Sequence, residues 1–154
     1  MPGKIAAEIK QTKPMTLEAE AVLNIQRTAD HLGSAAGRVL KEADVSVAQF
    51  NVLRILRGAG KDGLACGEIG ERMVTRDPDI TRLLDRMERR GVIARSRESR
   101  DRRVVRVRIT EAGLSLLKRL DRPVEQELKR LLGRLGPDRL GRLTGMLELI
   151  REPL

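Results

Sequence analysis

Tryptophan and tyrosine are absent from this 154-residue chain, and Phe50 is its only aromatic side chain. Platforms for single-stranded nucleic acid stack bases on several rings, so that mode of binding is disfavoured and the core must be aliphatic. There is one cysteine, Cys66, and one histidine, His31, which excludes an intrachain disulfide and a cysteine metal cluster. No nucleotide-binding glycine loop and no metal-spaced constellation is present, so an enzyme is disfavoured and no cofactor is expected. No apolar run approaches the length of a membrane span, and the first residues lack a signal-peptide core. The expected location is cytoplasmic, without membrane contact.

Positive charge is abundant but unevenly spread. The net charge is +9, yet residues 1–71 hold nine Lys/Arg against nine Asp/Glu. Residues 72–110 hold thirteen arginines and no lysine against six acids, a surplus of seven. A field confined to a quarter of the chain draws in a polyanion. Arginine adds a rigid donor fork that fits phosphates and the guanine edge.

Helical periodicity organises the flanks. Residues 1–15 have little pattern and read as an N-terminal arm. Residues 16–44 read as one helix capped by Thr16, with apolar positions at Val22, Ile25, Ala29, Leu32, Ala36 and Val39. Ser46 is expected to cap a second helix facing inward through Val47, Phe50, Leu53 and Leu56. A short third helix carries Ile69 and Met73. The fourth has the sharpest start: Asp77 as cap, Pro78 in the first helical position and Asp79 at the positive end of the dipole, over residues 77–90. Ile80, Leu83, Leu84 and Met87 form its buried stripe, and Gly91 stops it. Residues 92–97 and 103–109 then alternate as two strands around a polar turn. Thr110 caps a long leucine-striped helix, weakened by Gly113, and Gly136–Pro137 break it from a last one.

The expected fold class is therefore mainly α with a small β-hairpin wing, a winged helix-turn-helix with dimerisation helices at both ends. Its parts are the arm (1–15), an N-terminal dimerisation helix (16–44), the central domain (45–110) and C-terminal dimerisation helices (111–154). The outer helices carry more apolar surface than the middle domain can cover. A homodimer through Leu17, Val22, Ile25, Leu32, Leu128, Leu131, Leu135, Leu140, Leu143, Leu147 and Ile150 would bury it, and closed two-fold dimers are the commonest solution.

In a helix-turn-helix the second helix enters the major groove and its first turns meet base edges. Double-stranded DNA is thus the leading partner, which adds nucleoid association to the expected location. Asp79, Thr81 and Arg82 lie in those turns, Arg82 suited to a guanine, and Arg76 precedes them as a phosphate contact. Asp79 repels phosphate, so its reading divides between accepting from a cytosine amino group and serving the helix start. Arg86, like Arg89, reads either as a DNA contact or as half of a surface pair. The turn and strands add Arg95, Arg97, Arg100, Arg102 and Arg103 around Glu98 and Asp101. Such density repels itself unless counter-charges are near, and a minor groove supplies them. Arg100 is nearest the tip; Asp101 is expected to brace Arg103. A non-specific architectural DNA-binding protein is the alternative, and a basic scaffold for another protein a weaker one.

The stretches ITRLLDRMERRG (Ile80–Gly91), Asp101–Arg102–Arg103 and Ile109–Thr110–Glu111–Ala112–Gly113 resemble the MarR family of winged helix-turn-helix regulators. Gln49–Phe50, Val52–Leu53 and Glu68–Met73 extend the likeness upstream, over roughly residues 45–117. The resemblance implies a homodimer with intertwined terminal helices, recognition helices in successive major grooves of a pseudo-palindrome, and wings in the flanking minor grooves. By residue match it implies Thr81 and Arg82 as recognition contacts, Arg100 as a wing-tip contact, and Asp101 with Arg103 as the wing-stabilising pair. Repression is favoured over activation, because a bound dimer blocks a promoter by occupying it. Asp77–Pro78–Asp79 departs from the small hydroxyl residues usual at this helix start, and Glu98–Ser99 from the usual Asp-Pro of the wing.

The resemblance also allows a small-molecule effector of unknown class between the dimer helices and the central domain. His31, Arg38 and Arg57 are the polar candidates for it. Cys66 sits near a helix start, which allows a redox-sensing reading, but a packing role is the favoured one.

Overall fold

The computed structural model describes residues 3–98 and 100–153. Its helices and strands run α1 (Lys4–Glu8), α2 (Leu17–Lys41), α3 (Val47–Ala59), β1 (Leu64–Ala65), α4 (Cys66–Arg72), α5 (Ile80–Arg89), β2 (Ile93–Arg97), β3 (Val105–Ile109), α6 (Glu111–Leu132) and α7 (Gly136–Arg151), with short 3-10 turns before β1 and α7. The fold is thus mainly α with a small antiparallel wing.

Caps explain where the helices start. Thr16 Oγ1 accepts from the Ala19 N–H at 3.3 Å. Ser46 and Gln49 form a reciprocal box, each side chain accepting the other's backbone N–H at 3.1 Å. Each such cap contributes about 1 kcal/mol. At α5 the expectation is corrected. The helix begins at Ile80 rather than near residue 77, and Asp79 is its cap, accepting from the Arg82 N–H at 3.1 Å. Asp77 instead accepts from the Asp79 N–H at 2.8 Å, tightening the turn ahead of the helix. Two carboxylates competed for one cap, and the one with an amide three residues ahead of it in the first turn took it.

Two elements were not anticipated. The expected arm contains α1, whose Ile5 and Ala6 are buried. β1 pairs with β3, Leu64 opposite Val107, so the wing is a three-stranded sheet in the order β1-β3-β2. In the hairpin, Ile93 lies opposite Ile109 and Arg97 opposite Val105.

One aliphatic core holds these parts together. Leu53 and Leu56 of α3, Ile69 of α4, Leu83, Leu84 and Met87 of α5, Ile93 and Val107 of the sheet, and Leu117 of α6 are almost fully buried in it. Phe50 joins this cluster, and Cys66, half-buried, packs at its edge. Val47, expected to face inward, is exposed, whereas Val52 is buried.

The end of α5 is closed by three consecutive residues. Gly91 takes φ +78°, and its N–H reaches Glu88 O at 2.8 Å while Val92 N–H reaches Met87 O at 3.2 Å. Buried Met87 and Val92 accompany this turn, as the Schellman geometry favours. Thr110 then ties the same residues to the start of α6: its N–H donates to Val92 O at 3.1 Å and its hydroxyl to Gly91 O at 2.6 Å. A Cβ on Gly113 would lie 2.2 Å from Val92 O. What looked like a weakness in α6 is the clearance that lets this helix meet the wing. Gly113→Ala should therefore destabilise the chain by about 1–3 kcal/mol, measured as a lower urea midpoint. An unchanged midpoint would show that this contact is not close-packed in solution.

Candidate nucleic-acid interface

The buried stripe of α5 leaves its other face outside. Thr81 and Arg82 occupy the first turn and are exposed, as are Arg86 and Arg89 further along and Arg76 ahead of the helix. Asp79 does more than cap: its Oδ2 lies 3.3 Å from Arg82 Nε. The carboxylate thus engages the Nε side of the guanidinium, while the Arg82 side chain stays 76% exposed. Arg89 Nε reaches only the Asp85 carbonyl, at 3.4 Å. Among the described residues, Arg76, Arg86, Arg100, Arg102 and Arg103 form no ion pair within the chain.

The wing separates its arginines into two sets. Arg95 is the clearest departure from the expected set of outward-facing residues. Its Nε donates to Glu88 Oε2 at 2.8 Å and its Nη2 to Asp85 Oδ1 at 2.5 Å, while its backbone N–H reaches Glu88 Oε1 at 3.2 Å. The side chain is 27% exposed. It joins β2 to the recognition helix rather than projecting from the wing. Arg106 is the counterpart on β3: its Nε donates to Glu98 at 2.8 Å, and its Nη1 lies 3.3 Å from Glu68. Glu68 also accepts the Ala65 N–H at 2.8 Å. Arg108 donates to Ser96 Oγ at 2.7 Å and to Lys61 O at 2.8 Å.

The second set lies toward the tip. Arg97 makes only a long bond to Arg102 O, at 3.4 Å, and Arg100, Arg102 and Arg103 are exposed. Asp101 is joined to Arg103 through the backbone: its Oδ1 accepts the Arg103 N–H at 2.9 Å, with no ion pair between the side chains. The pair shapes the turn by fixing its backbone. Ser99 of the wing motif lies outside the described residues.

The resulting surface carries exposed guanidinium groups along α5 and at the hairpin tip, most of them outside any ion pair among the described residues. Their shared root is braced by Asp85, Glu88, Glu68 and Glu98. Partial neutralisation at the root lowers self-repulsion there and leaves the outer charge to be met by a polyanion. No group of His, Cys, Asp and Glu among the described residues could hold a metal ion, and no described helix is long and apolar enough to cross a membrane.

A groove of about 600 Å³ is lined by Ala36, Val47, Phe50, Arg54, Val124 and Leu128, and by the segment from Met73 to Pro78 that leads into α5. Arg54 sits over the Phe50 ring at 5.8 Å. None of the expected polar candidates lines it. His31 and Arg38 are exposed, and Arg57 is held by Asp121 of α6 through bonds of 2.5 and 3.0 Å. Arg54 was missed, although its i, i+4 spacing from Phe50 carried the signal.

This arrangement of three short helices and a wing, between long terminal helices, defines a winged helix-turn-helix protein. The MarR family profile matches residues 45–105. The crystal structure of a MarR transcription factor from Planctomyces limnophilus is 40% identical, over 89% of this chain and 99% of that one, with a TM-score of 0.68. The repressor CouR, solved bound to a 23-mer DNA duplex, is 25% identical over 92% of this chain and all of its own, at a TM-score of 0.78. The HTH-type transcriptional repressor IacR of Pseudomonas putida is 31% identical over 113 residues, 73% of this chain and 66% of that protein. The chain thus spans just under two thirds of that curated relative. The chain belongs to the MarR family of winged helix-turn-helix transcriptional regulators.

The brace has a testable signature. The Arg95 guanidinium, through its hydrogen bond, holds the Glu88 carboxyl below the usual carboxylate range. Its contribution is complete above the unfolded glutamate value, about 4.3, and is lost as pH falls through the lower folded value. Glu88→Gln should speed hydrogen exchange in β2 at neutral pH. The melting temperature should change little, because pairs this exposed are screened by solvent and add little to stability. Unchanged exchange would show that Arg95 does not hold the wing.

Proposed function

We propose that the protein is a sequence-specific repressor that binds a pseudo-palindromic operator as a homodimer. The observation that carries this reading is the set of exposed arginines on α5 and at the wing tip, with the wing tied to that helix by the bonds of Arg95 to Asp85 and Glu88. A duplex offers a major groove to the first and the adjoining minor groove to the second. Thr81 and Arg82 are assigned to base edges, Arg82 with its free nitrogens toward a guanine. Asp79 aims Arg82 and does not touch DNA. Arg76 and Arg86 are assigned to phosphates, and Arg97, Arg100, Arg102 and Arg103 to the minor groove and its backbone. Arg95 is reassigned to the brace.

The dimer is supported by what the single chain leaves uncovered. Leu17, Val22, Ile25, Leu143, Met146, Leu149 and Ile150 are all more than a third exposed, and α7 has no buried residue. Burying one such side chain contributes roughly 1.5–3 kcal/mol, so two sets exceed an association cost of about 4–15 kcal/mol. Leu32, Leu131, Leu135, Leu140 and Leu147 are half-buried and Leu128 is exposed, which leaves them able to extend the interface. IacR and CouR are both named as transcriptional repressors, which supports repression over activation. The groove beside Phe50 is where a small-molecule effector would act, since part of its wall is the segment that leads into α5.

Purified protein should elute as a dimer and protect two half-sites in a footprint of its own promoter region, with salt-sensitive affinity. Arg82→Ala should relax preference at one position in each half-site, at a cost of about 1–3 kcal/mol. Arg100→Ala should weaken all sites alike and reduce the salt slope by about 1. Equal affinity for unrelated duplexes would overturn the reading in favour of an architectural protein.

A further inference from the structure

We infer that Arg90 is a positioning residue that sets the separation of the two reading heads by clamping the end of α5 to the end of α2. Arg90 is the carboxyl-terminal cap of the recognition helix, eight residues beyond Arg82 and so roughly 12 Å further along the helix. Its Nη1 donates to the Asp44 carbonyl and its Nη2 to the Ala43 carbonyl, the latter at 2.6 Å. These bonds bridge 46 and 47 residues of sequence and join the reading helix to the long helix of the dimer.

The receiving turn is well fixed. Asp44 N–H bonds to Lys41 O at 2.9 Å and Val45 N–H to Leu40 O at 3.1 Å. Asp44 takes φ +53° in the position where glycine usually ends a helix. Leu40 and Val45 are buried beneath it. Arg90 therefore grips a rigid part of the backbone at the negative end of the α2 dipole, where a cation is favoured. Two adjacent carbonyls suit the two nitrogens of a guanidinium fork, whereas an ammonium is a single point donor without that spacing.

The inference rests on the homodimeric operator reading and goes beyond it. If α2 belongs to the dimer interface, the tilt of α5 against α2 decides how far apart the two copies of Arg82 lie. Half-sites about one helical turn apart need that distance held within a base pair. Arg90 supplies this constraint without contacting DNA.

The test uses the full chain and duplexes selected from genomic fragments, rebuilt with the half-sites moved apart or together in single base-pair steps. Fluorescence anisotropy should give the wild type a sharp optimum of spacing. Arg90→Gln should lose several-fold affinity at that optimum and little at neighbouring spacings, flattening the profile at least threefold, with base preference within each half-site unchanged. Arg90→Lys should lie between the two, and it carries the test if the glutamine variant does not fold. A uniform loss at every spacing, with the shape of the profile kept in both variants, would overturn the inference and leave Arg90 a merely structural residue. A wild-type profile that is flat across spacings would instead overturn the dimeric operator reading itself.

Discussion

The molecule turns on the three residues that end the recognition helix. Arg90 reaches the carbonyls that follow α2, Gly91 makes the left-handed turn that stops α5, and the Val92 carbonyl receives the amide that opens α6. One short segment thus fixes α5 against both long helices and starts the wing. The same core that buries Leu83, Leu84 and Met87 decides which side of α5 faces outward. Everything charged on that side inherits its direction from these apolar contacts.

Charge is arranged by subtraction as much as by accumulation. Thirteen arginines lie between residues 72 and 110, but Arg95 is shared between two carboxylates of α5, and Arg106 between Glu68 of α4 and Glu98 just after β2. Pairs of this exposure add little to stability. Their effect is positional: they hold the hairpin against α4 and α5, so that the arginines nearer the tip are presented by a supported ribbon.

Much of this fold was legible in the sequence because its signals were local. Thr16, Ser46 and Thr110 cap as their spacing suggested, Gly91 stops α5, and Val105, Val107 and Ile109 alternate as a half-buried strand. The departures have physical causes. Asp77 and Asp79 offered equivalent carboxylates, and only the geometry of the first turn chose between them. Two-residue β1 and five-residue α1 are too short to carry a period. Gly113 looked costly because its benefit, room for Val92 O, lies 21 residues away in the chain. Arg95 could not be separated from Arg97 by pattern alone, since its partners sit on a helix whose rotation depends on the whole core. The same holds for the groove, where the Phe50–Arg54 spacing was readable but the loop that walls it was not.

The joint between wing and α6 leaves no play. With Thr110 bonded twice to the preceding turn and Gly113 against Val92 O, the head and this helix pivot as one lever. α6 has 22 residues and is therefore about 33 Å long. A rotation of head and helix together by roughly 5° sweeps its far end through about 3 Å, by the same helix geometry. Small adjustments of the head are thus magnified at the opposite extremity of the molecule, and displacements imposed there return to the head reduced but undiverted.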